Sequence, residues 1–424
     1  MIKYIFILFF CTSTLYGQNI SLLSDNKLKT QHKINTVHHI EKIDNRIFLL
    51  CDVQTPNEPR FDILLIEIDE KGIVLSEKII GKTQRNEFPI SIHITEAKEY
   101  ILVANTVSFE SKRKKSLNIY LLDNQLNTTS ETPVIIPNLE WGTSSVYNPI
   151  TKNIVCVSLI ESETDKSDIF SIVTQYNLNK KAIVSQTILN KNNRVKKPVE
   201  VVFRDQKGNF MKKRTINLDN GHAKFCKNIR LLDQKNNHLL LVGYETSNTV
   251  TDFWVAKLEQ DKVVWEYQYP TKYGGDEGEM GFLTKEGNYI IFGHEYTKSL
   301  DVLFDYRTLL LNSKGEKIKN YHYFYKMASL DRFKDVVQLN EAEDEYLMFG
   351  RVQERDSKFN VTASNFWWVA VDGKGNKTDE FFHKIQETDE ALHLIKLDKN
   401  HVMAFYKRID GETEITRNLI LKIK

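Results

Sequence analysis

The sequence predicts an all-β protein built from one repeated unit, and two markers that stay in phase along the chain carry that prediction. The first is an apolar run ending in a small residue: "IFLLC" at Cys51, "YILVA" at Ala104, "IVCVS" at Ser158, "LLLVG" at Gly243, "YIIFG" at Gly293 and "YLMFG" at Gly350. A degenerate seventh copy, "VMAFY", ends at Tyr406. The second marker is an Asp or Asn opening the next apolar run, at Asp62, Asn118, Asp168, Asp252, Asp305, Asn365 and Asn418. The runs are short, rich in Ile, Val, Leu, Phe, Tyr and Trp, and broken by turns such as "DEKG", "NSKG" and "DGKG". That is the pattern of consecutive antiparallel strands. No sustained helical period follows the N-terminal segment.

The markers recur every 50 to 60 residues or so, the range of propeller blades and kelch-like units. The fifth copy shows the unit best. "EMGFLTKEGNYIIFGHEY" holds two strands around a turn at Lys285–Asn288, the second ending near Gly293, and "DYRTLLLNSKGEKIKNYHYF" holds a third and an outer fourth. Four strands in each of seven units describe a single β-propeller. Eight blades is the alternative if residues 191–220 form half of a degenerate unit. The small residue of the first marker is read as room for neighbouring blades near the axis. The last unit has three strands before the chain ends, so "NISLL", just after residue 17, is expected to supply its outer strand and close the ring without an exposed edge.

Residues 252–296, "DFWVAKLEQDKVVWEYQYPTKYGGDEGEMGFLTKEGNYIIFGHEY", resemble the repeats of exported bacterial β-propeller proteins of the kelch and quinoprotein-like type, where "DxWVxKLDxxGxxxW…GGYIIxG" recurs. Residues 365–376 match it less closely. This chain has Asp261-Lys262 in place of the usual turn glycine and one Gly-Gly pair, at 274–275. The resemblance implies a propeller and an exported location. Such repeats serve many activities, so it does not choose a function.

The N-terminus points the same way. Lys3, the apolar "YIFILFFCTSTLY" and then Gly17-Gln18 have the layout of a cleaved secretory signal over residues 1–17, leaving a propeller domain over 18–424. Cys11 raises a lipid anchor, but the bulky Phe9-Phe10 before it argue against one. The expected location is periplasmic or extracellular, with no transmembrane segment. With 58 Lys and Arg against 56 Asp and Glu, the net charge of +2 draws the chain to neither nucleic acid nor anionic lipid as a whole. Cys51, Cys156 and Cys226 are too few and too scattered for a disulfide framework.

Candidate site residues fall in two groups. Acids cluster where the blades' first strands begin: Glu87, Glu140, Asp276, Glu277, Glu279, Asp331, Asp389 and Glu390. On one propeller face they would ring the channel mouth, suit Ca²⁺ through their oxygens or do paired acid/base chemistry, while Trp141 could stack on a sugar. The second group is a basic, hairpin-like insertion at about 191–220, with Arg194, Lys196, Lys197, Lys212, Lys213 and Arg214, able to dock an anionic partner. The structural reading of each is plainer: turn acids cap loops, and charged hairpin edges discourage strand pairing. His38 and His39 are expected on opposite faces of one strand. Trp254, Trp265, Trp367 and Trp368 are expected in packing. No sialidase box, WD signature, GxSxG, HExxH or EF-hand loop occurs, and no cofactor is called for. The chain therefore reads as an envelope binding or scaffold propeller for a glycan or protein partner, rather than an enzyme. A glycan hydrolase or lyase using the channel-mouth acids is the alternative, and a structural envelope subunit is a third.

Overall fold

The computed structural model describes residues 20–54, 60–82, 84–109, 114–161, 169–189, 196–204, 210–219, 223–247, 250–269, 275–298, 303–324, 329–356, 360–410 and 413–423. It is a seven-bladed β-propeller of four-stranded antiparallel sheets. The inner strands, numbered by blade from one to seven, are Ile34–Ile43, Arg85–Ile94, Leu139–Asn148, Ala223–Asp233, Glu277–Leu283, Ser329–Asn340 and Glu390–Lys396. The last blade is completed by the N-terminal strand Ile20–Lys27, which pairs antiparallel with Thr413–Ile423 from Ile20↔Ile423 to Lys27↔Arg417. Residues 196–204 and 210–219 form a separate two-stranded hairpin outside the seven sheets, so the extra chain adds no eighth blade. The leader over 1–17 lies outside the described residues. Among those described, no helix is long and apolar enough to cross a membrane.

Each blade buries both faces against its neighbours, which is why the runs are continuously apolar rather than alternating. The core is accordingly split into seven clusters, one per blade interface. Trp254 packs between blades three and four, Trp367 between five and six, and Trp368 between six and seven. Among the described residues the three cysteines, Cys51, Cys156 and Cys226, are free and buried in the same interfaces.

Every inner strand carries a β-bulge at the same depth. The register shifts between Val37 and His39, Pro89 and Ser91, Gly142 and Ser144, Cys226 and Asn228, Gly278 and Met280, Phe333 and Asp335, and Ala391 and His393. The residue just before each bulge pairs with the small residue of the first sequence marker, as in Gly278↔Gly293 and Phe333↔Gly350. A Cβ on Gly243, Gly293 or Gly350 would lie 1.9, 2.1 or 2.0 Å from the carbonyl oxygen of Phe225, Glu277 or Arg332. The nearest obstacle is thus the bulged strand of the same blade, and at Gly293 and Gly350 the side chains of Phe253 and Tyr306 from the neighbouring blade also leave no room, as the sequence suggested. The second strand also continues past the marker, to Lys298 in blade five.

Candidate active site in the central channel

A bulge places one extra residue on a strand and re-aims the side chains around it. Seven bulges at one depth therefore set a ring of side chains into the central channel, whose volume is about 1270 Å³. Their seven residues are His38, Ile90, Thr143, Lys227, Glu279, Lys334 and Leu392, and all but the last line the channel. His38 and His39 consequently both face it, which corrects the expectation of opposite faces. His38 Nε2 lies 2.9 Å from Asp52 and His39 Nε2 lies 3.2 Å from Glu41.

Two residues before each bulge stands a second ring, and its chemistry changes around the mouth. Blades two to four present the partly exposed Phe88, Trp141 and Phe225. Phe88 and Trp141 have ring centroids 5.3 Å apart, and Phe225 stacks on Tyr244 at 5.0 Å. Blade five presents Glu277 with His294 opposite, blade six Arg332 with Arg351 opposite, and blade seven Glu390 with Lys407 opposite.

Strand alternation divides the predicted acids. Three residues before the bulge, Glu87, Glu140, Asp276, Asp331 and Asp389 turn away from the channel side of the strand. Four of these are fully buried, Glu140 being the partly exposed one. Glu87 meets Arg85 at 2.5 Å and accepts from Tyr120. Asp276 meets Arg307 at 3.2 Å, Asp389 takes both Arg408 nitrogens at 2.9 and 2.6 Å, and Glu140 pairs with Lys115. Glu87, Asp276 and Asp389 are thus held within their own blades and Glu140 ties blade three to blade two, rather than forming one ring in the channel. Trp141, next to Glu140, does line the channel. Arg194, and the side chains of Lys196, Lys197, Lys212, Lys213 and Arg214, lie outside the described part of the structure.

Glu277 and Glu279 are the predicted acids that the structure brings together. They join His294, and one ligand-type atom from each of the three lies within 4.8 Å of the other two. Lys227 from blade four contacts Glu277 and sits 2.7 Å from Glu279, while His294 Nδ1 is 3.9 Å from Glu279. Burial pushes the Glu279 carboxyl up, and the Lys227 ammonium only partly offsets it. The Glu279 carboxyl is therefore a weaker acid than an exposed glutamate. Burial also lowers His294 from its ordinary 6.5 to about 4, so it is neutral at pH 7. Its Nδ1 is buried without a hydrogen-bond partner among the described residues. Two carboxylates and an imidazole can also hold a divalent ion such as Ca²⁺, which would have to displace the Lys227 ammonium. Neither His294 nor Lys227 was singled out in the sequence. The signals were present: His294 directly follows a marker glycine, and Lys227 is a bulge residue.

Farther along the channel, His93 lies 3.1 Å from Ser91 and 2.9 Å from Ser145, and burial lowers it to about 4. His393 lies 3.4 Å from Asp335. Arg230 stands over the Phe282 ring at 4.1 Å with no ion pair to a described residue.

No protein family and no curated protein matches the sequence. Solved structures share the fold at low identity. A Dyadobacter fermentans protein of unknown function is 10% identical, with 96% of this chain and 100% of that one covered, at a TM-score of 0.48. A puromycin hydrolase is 10% identical over 94% of this chain and 55% of its own length, at 0.50. The polysaccharide lyase Uly1 is 8% identical over 98% and 94%, at 0.46. At these identities the likeness establishes the propeller alone. Beside the channel this chain gathers two carboxylates, an imidazole and an ammonium, with the Glu279 carboxyl raised and the His294 imidazole lowered by burial. That cluster corrects the expectation of a propeller that is not an enzyme.

Proposed function

We propose that the protein is an exported glycan-acting enzyme, a hydrolase or lyase, that works at the channel mouth on blade five. The observation that carries the reading is the half-buried pair Glu279 and His294, the imidazole Nδ1 lying 3.9 Å from the Glu279 carboxylate, with burial raising the proton affinity of the carboxyl and lowering that of the imidazole. Neighbouring titratable groups perturbed by burial mark a candidate acid/base site. Glu279 donates a proton to the leaving glycosidic oxygen. His294 accepts one, from an attacking water in hydrolysis or from a ring carbon in elimination. Glu277 and Lys227 hold the two in place. Phe88, Trp141, Phe225 and Tyr244 form an apolar arc beside this group on which sugar faces can stack. The signal-like leader supports export, where such polymers are met.

The test is a panel of polysaccharides assayed for new reducing ends and for ultraviolet absorbance of unsaturated products. Glu279→Gln and His294→Ala should each cut turnover by roughly 10²- to 10⁴-fold, the usual contribution of a positioned acid or base. Release of neither product from any polymer, or full activity in both variants, would reject the reading.

A further inference from the structure

The inner strand of blade six borders the Glu277–Glu279–His294 group and carries two exposed cations two residues apart, Arg332 and Lys334. Lys334 is a bulge residue and lines the channel. It is close enough to favour the charged form of Glu279, and Arg332 is close enough to help keep His294 neutral. Among the described residues neither cation has an acidic partner at ion-pair distance. Arg332 instead lies 6.0 Å from the Phe304 ring centroid.

The cross-strand partner of Arg332 is a third cation, Arg351. Like charges directly opposite on antiparallel strands repel. Arg351 is anchored from the other side, donating to the backbone oxygens of Glu387 at 3.2 Å and Asp389 at 2.9 Å. Glu387 and Glu390 also act on Arg351. The strand therefore keeps a repulsive pair in a mouth where other charges, such as Lys227 and Lys407, have found acids. A bound anion removes that repulsion. Farther along the same channel Arg230 offers a further guanidinium without an ion pair.

We infer that the channel takes a polyanionic glycan, whose carboxylate or sulfate group is held by Arg332 and Lys334 beside Glu279 and His294. The inference rests on the glycan-enzyme reading and adds the substrate class to it. A planar guanidinium and a mobile ammonium side by side suit an oxyanion attached to a sugar ring. The aromatic arc across the mouth holds the apolar faces of the same chain.

Binding, measured on the full chain by calorimetry, separates this from the activity. The probes are polygalacturonate for carboxylate, dextran sulfate for sulfate, and dextran as the neutral polymer. At least one polyanion should bind tenfold or more tightly than dextran, and whichever is preferred identifies the anionic group. The exposed double variant Arg332→Ala/Lys334→Ala should lose at least tenfold of that preference while unfolding at the same denaturant concentration as the parent. Equal binding of dextran, no binding of either polyanion, or a double variant with unchanged preference overturns the inference. A polyanion preference that survives while Glu279→Gln leaves turnover intact would instead sink the enzyme reading and leave the anion site standing.

Discussion

At the scale of single residues, the site's character comes from proton affinities displaced by burial. A base must be unprotonated and an acid protonated for turnover. His294 becomes a base above about 4, and Glu279 stays an acid until pH passes its raised value, above the ordinary 4.5. The two conditions overlap between the lowered value of His294 and the raised value of Glu279, so kcat/KM is expected to be bell-shaped with its optimum between them. Lys227→Met should move the descending limb further up, because the ammonium opposes the burial effect at Glu279. A descending limb that stays in place would show that Glu279 is not the group being titrated. Stability has its own pH dependence. His93 and His294 are neutral in the fold down to about 4 but charge near 6.5 when unfolded, so the unfolded chain binds more protons in that window and stability falls as pH drops through it. Glu279 acts oppositely, since it is protonated in the fold at a pH where the unfolded chain has ionised it. The acids of this site were legible in the sequence because they cluster near strand starts. What hid their division was a boundary. Read as loop residues, Asp276 and Glu277 are equivalent; with the strand starting at Glu277, Asp276 just before it turns into the blade beside Arg307 while Glu277 meets Lys227 of blade four.

At the scale of the element, the bulged inner strand links the repeat to the site. The marker glycine was visible as a periodic small residue, but the bulge opposite it was not, because a bulge leaves no local signature in a single strand's composition. The nearest obstacle is the carbonyl oxygen of Glu277, 2.1 Å from where a Gly293 Cβ would stand. Gly293→Val should therefore displace the strand that carries Glu277 and Glu279, and overpacking of this kind typically costs about 1–3 kcal/mol. Gly287 is the control, a turn glycine at φ +78° with nothing within 4 Å of an added Cβ. Gly287→Ala should cost on the order of 1 kcal/mol through backbone strain alone and leave turnover intact. Urea unfolding and glycan turnover measured on both variants decide the matter: loss of turnover in Gly287→Ala, or its retention in Gly293→Val, would break the link between bulge and site. The hairpin over 196–204 and 210–219 shows the limit of reading by period. Its length left room for half a blade, and only the pairing of its two strands with each other, rather than with a neighbouring sheet, settled the count at seven.

At the scale of the molecule, the ring has seven apolar interfaces and one point where the chain closes on itself. Closure was legible because the last repeat is one strand short, and its register bears this out from Ile20↔Ile423 onward. Ile20 is buried in the core between blades six and seven, with Leu22 packed against it. Asp25 fixes the other end of the strand, accepting from Tyr406 at 2.9 Å and Arg417 at 3.0 Å. Removing residues 18–26 would strip those contacts and leave Thr413–Ile423 as an open edge with unpaired backbone groups. Full burial of Ile20 alone is worth about 1.5–3 kcal/mol, and the partly buried Leu22 adds to it, so the melting temperature should fall sharply and the truncated chain should associate through its new edge. Because the channel is bounded by all seven inner strands, loosening the joint between blades seven and one also widens it, and polyanion affinity should drop even below the melting transition. An Ile20→Asp variant, which keeps the backbone pairing and loses the buried side chain, separates the two contributions. It should lower the melting temperature without producing association. An unchanged melting temperature in the deletion would mean that blade seven holds with three strands and that the ring is closed by blade packing alone.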